Sequence, residues 1–336
     1  MKLKIISLFT ICFFTYLSGQ QKRTIGYVER LLPEMNRFVA PGAEIEILAR
    51  GFGWSEGPVW VDRLDAVLFS DVPGNKIYQW DEKNGLSVFL NPSGYTGIAP
   101  REKKGSKNAM DRDESGSNGL ILDKKGQLII CMHGDRRVAR LTDWEKNNFT
   151  TIVSKYQGKY FNSPNDLVYA KNGDLYFTDP PYGLKKGDDD ALKELPFNGV
   201  YKLTPSGELS LIIDDLTRPN GIAVSNDQKI LYIAISDPKN RRIMAYDINR
   251  NGVENARVFF NDDALAKESR GNFDGLKIHP SGTIFTTGPG GVLIITPEGK
   301  HLGTIKTKEK TANCAFDAKY EYLYMTTHMY LTRIKL

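Results

Sequence analysis

Apolar residues in this chain recur in short alternating runs separated by turns rich in Gly, Asp and Asn. The clearest run, SNGLILDKKGQLIICMHGDRRVARL at 117–141, returns in five variants. Each copy reads as a polar residue, a short apolar strand, a polar turn and a second apolar strand, usually followed by a further turn and a third strand. The copies open at Glu56, Asn118, Asn165, Asn220, Asp274 and Asn313. Alternation of this kind predicts strands. Six imperfect copies at intervals of roughly 40 to 60 residues predict an all-β fold, a six-bladed β-propeller.

A propeller must close its ring, or its first and last blades keep open edges. The last copy supplies three strands only: CAFDA, EYLYMTTH and YLTRIKL. The alternating segment AEIEILAR at 43–50 is therefore expected to complete the C-terminal blade as its outer strand. Residues 22–42, broken by Pro33 and Pro41, read as a short helix and a loop. Before them, MKLKIISLFTICFFTYLSGQ has two lysines, an apolar run at 5–14 and then small and polar residues. That is the order of a secretory signal peptide, and the run is too short to span a bilayer. The plan is a signal peptide at 1–20, an N-terminal extension at 21–42 and the propeller at 43–336. The expected destination is export, periplasmic or secreted, with no membrane attachment after cleavage.

A net charge of +5 on 336 residues is small, and the lysines are dispersed, which argues against nucleic acid as a partner. A monomer or weak dimer is expected. Cys131 and Cys314 fall in apolar strands of different copies, where a buried free thiol is the expected state. Two insertions depart from the regular copy. Residues 92–117 enter the strand opened by Asn118 and read as a lid over the site or as a solvated loop. Residues 183–198 follow the second strand of the third copy. Their run Asp188, Asp189, Asp190 reads as a solvated charge cluster, not as a metal site.

The inner strand of every blade lines the central channel, so the six opening residues should gather at one end of it. All six are carboxylates or carboxamides. Single Asn and Asp residues often serve local turns, but Glu56 is a poor turn residue, and the full set reads as an oxygen-lined site for a hard cation, Ca²⁺ above all. A second set returns to the same face: Asp71, His133, Asp179, Asp237 and His328, with Gly288 in the fifth copy. The aspartates sit in turn sequences. His133 and His328 are acid/base or substrate-contact candidates, and Arg136 is placed to reach a substrate oxygen.

The ordered set WSEGPVW (54–60), SPNDLV (163–168), RPNGIA (218–223) and FDGL (273–276) resembles the senescence-marker-protein/gluconolactonase family, the regucalcin-like six-bladed propellers. CMHGDRRV and TDPPYGL resemble its bacterial gluconolactonase branch. The resemblance implies that Glu56, Asn220 and Asp274 hold one divalent metal. Asn165 joins that shell or contacts substrate, and Asn118 lines the pocket. The metal expected is Ca²⁺, with Zn²⁺, Mg²⁺ or Mn²⁺ as alternatives. The reaction implied is hydrolysis of a sugar-type lactone, a small-molecule substrate, to its hydroxy acid. The general base is Asp274 or His133, and Asn118, Asn165, Arg136 and His328 are the substrate contacts. Two other readings remain open at this point: an esterase or acyl-lactonase on the same site, and a non-catalytic propeller that binds calcium or a partner.

Overall fold

The computed structural model describes residues 23–101, 115–144, 147–261 and 265–336. The signal-peptide stretch lies outside them, as do residues 102–114 of the 92–117 insertion. Six antiparallel sheets form the blades of a propeller; the first four run outward in chain order from the inner strand, and the fifth and sixth each add an N-terminal strand at the outer edge. The inner strands are Ser55–Val61, Leu120–Leu122, Leu167–Tyr169, Pro219–Val224, Leu276–Ile278 and Thr311–Phe316. No described helix is long and apolar enough to cross a membrane.

The ring closes as the alternation of 43–50 requires. Ile45–Arg50 pairs antiparallel with Tyr330–Lys335, in the register Ile45↔Ile334 and Glu46↔Arg333. The extension before it differs from the helix-and-loop expectation. Tyr27–Arg30 is a strand that pairs with His301–Lys306 and makes the fifth blade five-stranded. Only Pro33–Arg37 forms a helical turn, and it is of the 3-10 type. Met35 and Val39 bury there among Phe285, Ile294, Ile305 and Ile334, so the extension bolts the fifth blade to the sixth.

Apolar alternation accounts for the packing. One apolar cluster fills each interface between neighbouring blades, as where Leu68 and Ile77 of the first blade meet Leu128 and Ile130 of the second. Burial of a whole aliphatic or aromatic side chain contributes about 1.5–3 kcal/mol, so six such interfaces dominate the stability. Polar residues hold the turns between strands. Asp123 Oδ1 accepts from the Lys125 and Gln127 amides at 2.8 and 2.9 Å, and Asp81 Oδ1 from those of Lys83 and Asn84 at 3.0 and 2.7 Å. Both cysteines are buried and free.

Candidate active site at the channel mouth

Glu56, Asn118, Asn165, Asn220 and Asp274 line one cavity of about 180 Å³ at one end of the channel, together with Trp54, Val72, Tyr182, Ser236, Asn272, Lys310 and Thr311. Five of the six opening residues thus converge although 218 positions separate the first from the last (274 less 56).

The convergence follows from how the inner strands approach. Adjacent strands are stitched by backbone bonds at this level: Gly119 N to Asn165 O at 2.7 Å, Gly221 N to Asp274 O at 3.0 Å, and Gly275 N to Ala312 O at 2.8 Å. The approach is so close that a Cβ on Gly57 would strike the Asn118 carbonyl, and one on Gly221 the Asp274 carbonyl. At these two positions a glycine after the ring residue is therefore a steric requirement. Hydroxyls on the second strands add a further stitch, with Ser70 Oγ bonded to Asn118 O at 2.8 Å and Thr178 Oγ1 to Asn220 O at 2.7 Å.

The same bonds correct the sixth position. Gly275 N meets Ala312 O, so Ala312 is level with the ring, and Asn313 lies one residue deeper, level with the glycines. Asp166 is its counterpart in the third blade. Leu167 N bonds to Asp166 Oδ1 and Cys314 N to Asn313 Oδ1, both at 2.9 Å. The ring of side chains therefore has five members. The two blades without a glycine at the next level fill the axis beneath it.

Side-chain partners set the orientation of the ring. Glu56 is 3% exposed; its Oε1 accepts from Trp54 Nε1 at 3.3 Å and its Oε2 from the Gly57 amide at 3.1 Å. Ser236 Oγ donates to Phe273 O and accepts from Asn220 Nδ2 at 2.8 Å. With its one proton spent, Ser236 can only accept from Asn220. That fixes the amide with its oxygen away from Ser236. Ser236 is a residue the sequence reasoning missed, since attention went to Asp237, the next in line. Asn118 and Asn165 are buried, whereas Asp274 is half-buried.

The second set of polar residues divides. The aspartates hold turns: Asp71 Oδ1 accepts from the Gly53 and Trp54 amides at 2.9 and 3.2 Å, and Asp237 from Lys239 N at 2.9 Å. Asp179 takes the Asn162 and Ser163 amides, both at 2.7 Å. Burial pushes the Asp179 carboxyl up to about 7, against those two amides, which pull it down.

His133 is wholly buried, not at the cavity wall. Its Nδ1 faces the Pro164 carbonyl at 3.2 Å, a pure acceptor, so Nδ1 carries the proton. Gly183 packs so closely that a Cβ there would lie 2.7 Å from His133 Cδ2. Arg136 is buried as well, with Nε donating to Phe161 O at 2.6 Å and its guanidinium 5.4 Å from the Tyr160 ring centroid. It does not line the cavity. His328 packs against Trp54 at 5.5 Å between ring centroids, with Nδ1 3.5 Å from Glu309 Oε2, also off the cavity wall. Of the acidic run only Asp188 and Asp189 are solvated; Asp190 is buried and accepts from the Lys186 and Leu192 amides at 2.8 and 2.9 Å, a turn role that the reading of a solvated cluster did not foresee.

The cavity thus presents two carboxylates and four carboxamides, the fourth being Asn272, a wall rich in oxygen ligands of the hard kind. Among the described residues no group of three or more His, Cys, Asp or Glu side chains is placed to hold a metal. Any ion here would depend on the amide oxygens as well.

The family model described as "SMP-30/Gluconolactonase/LRE-like region" matches residues 54–329. A gluconolactonase of Zymomonas mobilis is 35% identical over 317 residues, covering 93% of this chain and 86% of that protein. The solved structure of a gluconolactonase from Xanthomonas campestris superposes with a TM-score of 0.78 at 26% identity, over 94% of this chain and 97% of that one. Regucalcin of Macaca fascicularis is 25% identical over 81% of this chain and 82% of its own length.

Proposed function

The chain belongs to the SMP-30/gluconolactonase/LRE-like family, and from that premise we propose that it hydrolyses a sugar-type lactone to the hydroxy acid in the channel-mouth cavity. In this reading one divalent cation, Ca²⁺ before Mg²⁺, Mn²⁺ or Zn²⁺, is held by Glu56, Asn165, Asn220 and Asp274. The observation that carries the reading is the gathering of five oxygen-bearing side chains from five blades on one small cavity. Their chemistry fits the ion: all donors are oxygens, which favours the harder cations over Zn²⁺. Asn118 adds a specific sign. Its Oδ1 is buried without a hydrogen-bond partner, an arrangement that costs about 1–3 kcal/mol unless a cation or a hydroxyl donor meets it.

When bound, such an ion supplies a Lewis acid for the lactone carbonyl. The remaining work falls to the chain. Glu56, clamped by Trp54 and Gly57, is a fixed charge that does not have to reorganise. Asp274, on the cavity wall and half-buried, takes the proton of the attacking water. Complete burial speaks against His133 in that role. Asn118 accepts from a substrate hydroxyl, and Trp54 and Tyr182, which line the cavity, supply aromatic surface for the sugar ring. Arg136 and His328 act behind the wall as supports.

The test is metal-stripped protein assayed with an aldonolactone such as glucono-δ-lactone in a pH-stat. Acid release that requires added Ca²⁺ or Mn²⁺ and disappears in Glu56→Gln supports the reading. Equal release without metal and in that variant overturns it.

A further inference from the structure

The level beneath the ring carries one charge that the hydrolytic reading does not use. Counting three residues on from each ring position gives Val59, Ile121, Val168, Ala223, Lys277 and Ala315, and all six line the groove at the opposite end of the channel. Five are apolar and one is a lysine. A lysine placed in an apolar collar buries its stem and sends its ammonium toward a partner. Lys277 sends it up the axis. Its Nζ donates to Leu276 O and to Asn313 Oδ1, each at 3.2 Å, and stands 3.8 Å from Asp166 Oδ2. Asn313 Nδ2 in turn donates to Asp166 Oδ2 at 3.4 Å. Asp166 is a carboxylate with 3% of its side chain exposed, next in sequence to Asn165; Asn313 packs on Gly275, next to Asp274.

A carboxylate, an amide oxygen and a backbone carbonyl around one point on the axis are the donor set of a hard cation. Here the ammonium stands among them. We infer that Lys277 is the fixed cation of the channel, a positioning residue that occupies an oxygen-lined cage one level below the ring and limits the channel to a single exchangeable metal ion. It neutralises Asp166, so the net negative charge offered to a metal is that of Glu56 and Asp274 alone. It also ties the floor of the ring, since Asp166 and Asn313 come from opposite sides of the propeller, the third and sixth blades. The inference rests on the metal reading above and goes beyond it, to stoichiometry and to a residue outside the cavity.

The experiment is calorimetric titration of Ca²⁺, repeated with Mn²⁺, into the metal-stripped full chain. The wild type is expected to bind one ion per chain and Lys277→Met two, the second in the vacated cage. Lys277→Arg should bind one, and Lys277→Met combined with Asp166→Asn should return to one. A folded Lys277→Met that binds one ion with wild-type affinity overturns the assignment. Should that variant not fold, Asp166→Asn decides. It leaves the ammonium without its counter-charge under the ring and should weaken ring affinity about ten- to a hundredfold, so unchanged affinity there also overturns it. A wild type that binds no ion removes the metal reading itself, an outcome distinct from one ion in both wild type and Lys277→Met.

Discussion

Replacing Gly221 with alanine tests the steric origin of the ring. An added Cβ would strike the Asp274 carbonyl oxygen, with Gly275 Cα at 2.8 Å and the Asp274 carbonyl carbon at 3.0 Å. All three are backbone atoms, so no side-chain rotation relieves the clash. The fourth and fifth inner strands must part, and the Gly221 N to Asp274 O bond of 3.0 Å lengthens or breaks. Overpacking of this kind costs about 1–3 kcal/mol, which for a domain of this size is a loss of roughly 2–5 °C in Tm. The parting strands carry Asn220 and Asp274, and a displacement near 1 Å at reacting groups costs about a hundredfold in rate. Gly207→Ala is the control. That glycine has φ +91° and open space around it, so alanine there costs about 1 kcal/mol through the left-handed backbone alone and leaves turnover unchanged. Melting followed by circular dichroism, with kcat/KM on an aldonolactone, reads both. If Gly221→Ala melts no lower than Gly207→Ala and keeps wild-type kcat/KM, close strand approach does not set the site.

Glu56→Gln and Asp274→Asn should each fold with a native circular dichroism spectrum and lose metal affinity and turnover together. Deleting residues 330–336 removes the partner of Ile45–Arg50, so the ring cannot close and the chain should show no cooperative melting transition. His133→Gln should lower Tm yet leave the shape of the kcat/KM pH profile intact, because the imidazole is sealed from the cavity; a shifted profile would return His133 to the chemistry. Burial raises the Asp179 carboxyl to about 7 from an ordinary 3.8, so the folded state holds this proton more tightly than the unfolded one. Its contribution to stability is full below about pH 4 and is lost as pH rises through about 7. Tm measured across that window should fall, and Asp179→Asn should flatten that part of the slope.

The repeat made the architecture legible, because each copy states its own strands and turns and the missing outer strand of the last copy had a single alternating candidate. Five of the six ring residues could be read for the same reason. Asn313 could not, since Ala312 and Asn313 both suit the start of a strand and the irregular pairing between Thr311 and Asn313 shifts the register by one. A signal was present: the other five openings are followed by Gly or Asp, whereas Asn313 is followed by Cys314. Tyr27–Arg30 was hidden by its brevity, two charged residues in four, close to Pro33. The burial of His133 depends on Pro164 and Gly183, brought from another blade, which no local pattern states. Lys277 was visible as a lone charge where every other copy is apolar. It went unread because the openings of the copies, not their third positions, were compared.

The central claim is that side chains from separate blades form one cage that takes a single catalytic cation. Its most direct measurement is the rate of aldonolactone hydrolysis by stripped protein as Ca²⁺ or Mn²⁺ is added back, with bound metal determined by elemental analysis at each step. The rate is expected to rise in proportion to occupancy and to reach its plateau at one ion per chain. A full rate at zero occupancy, or a plateau unrelated to bound metal, would contradict the claim.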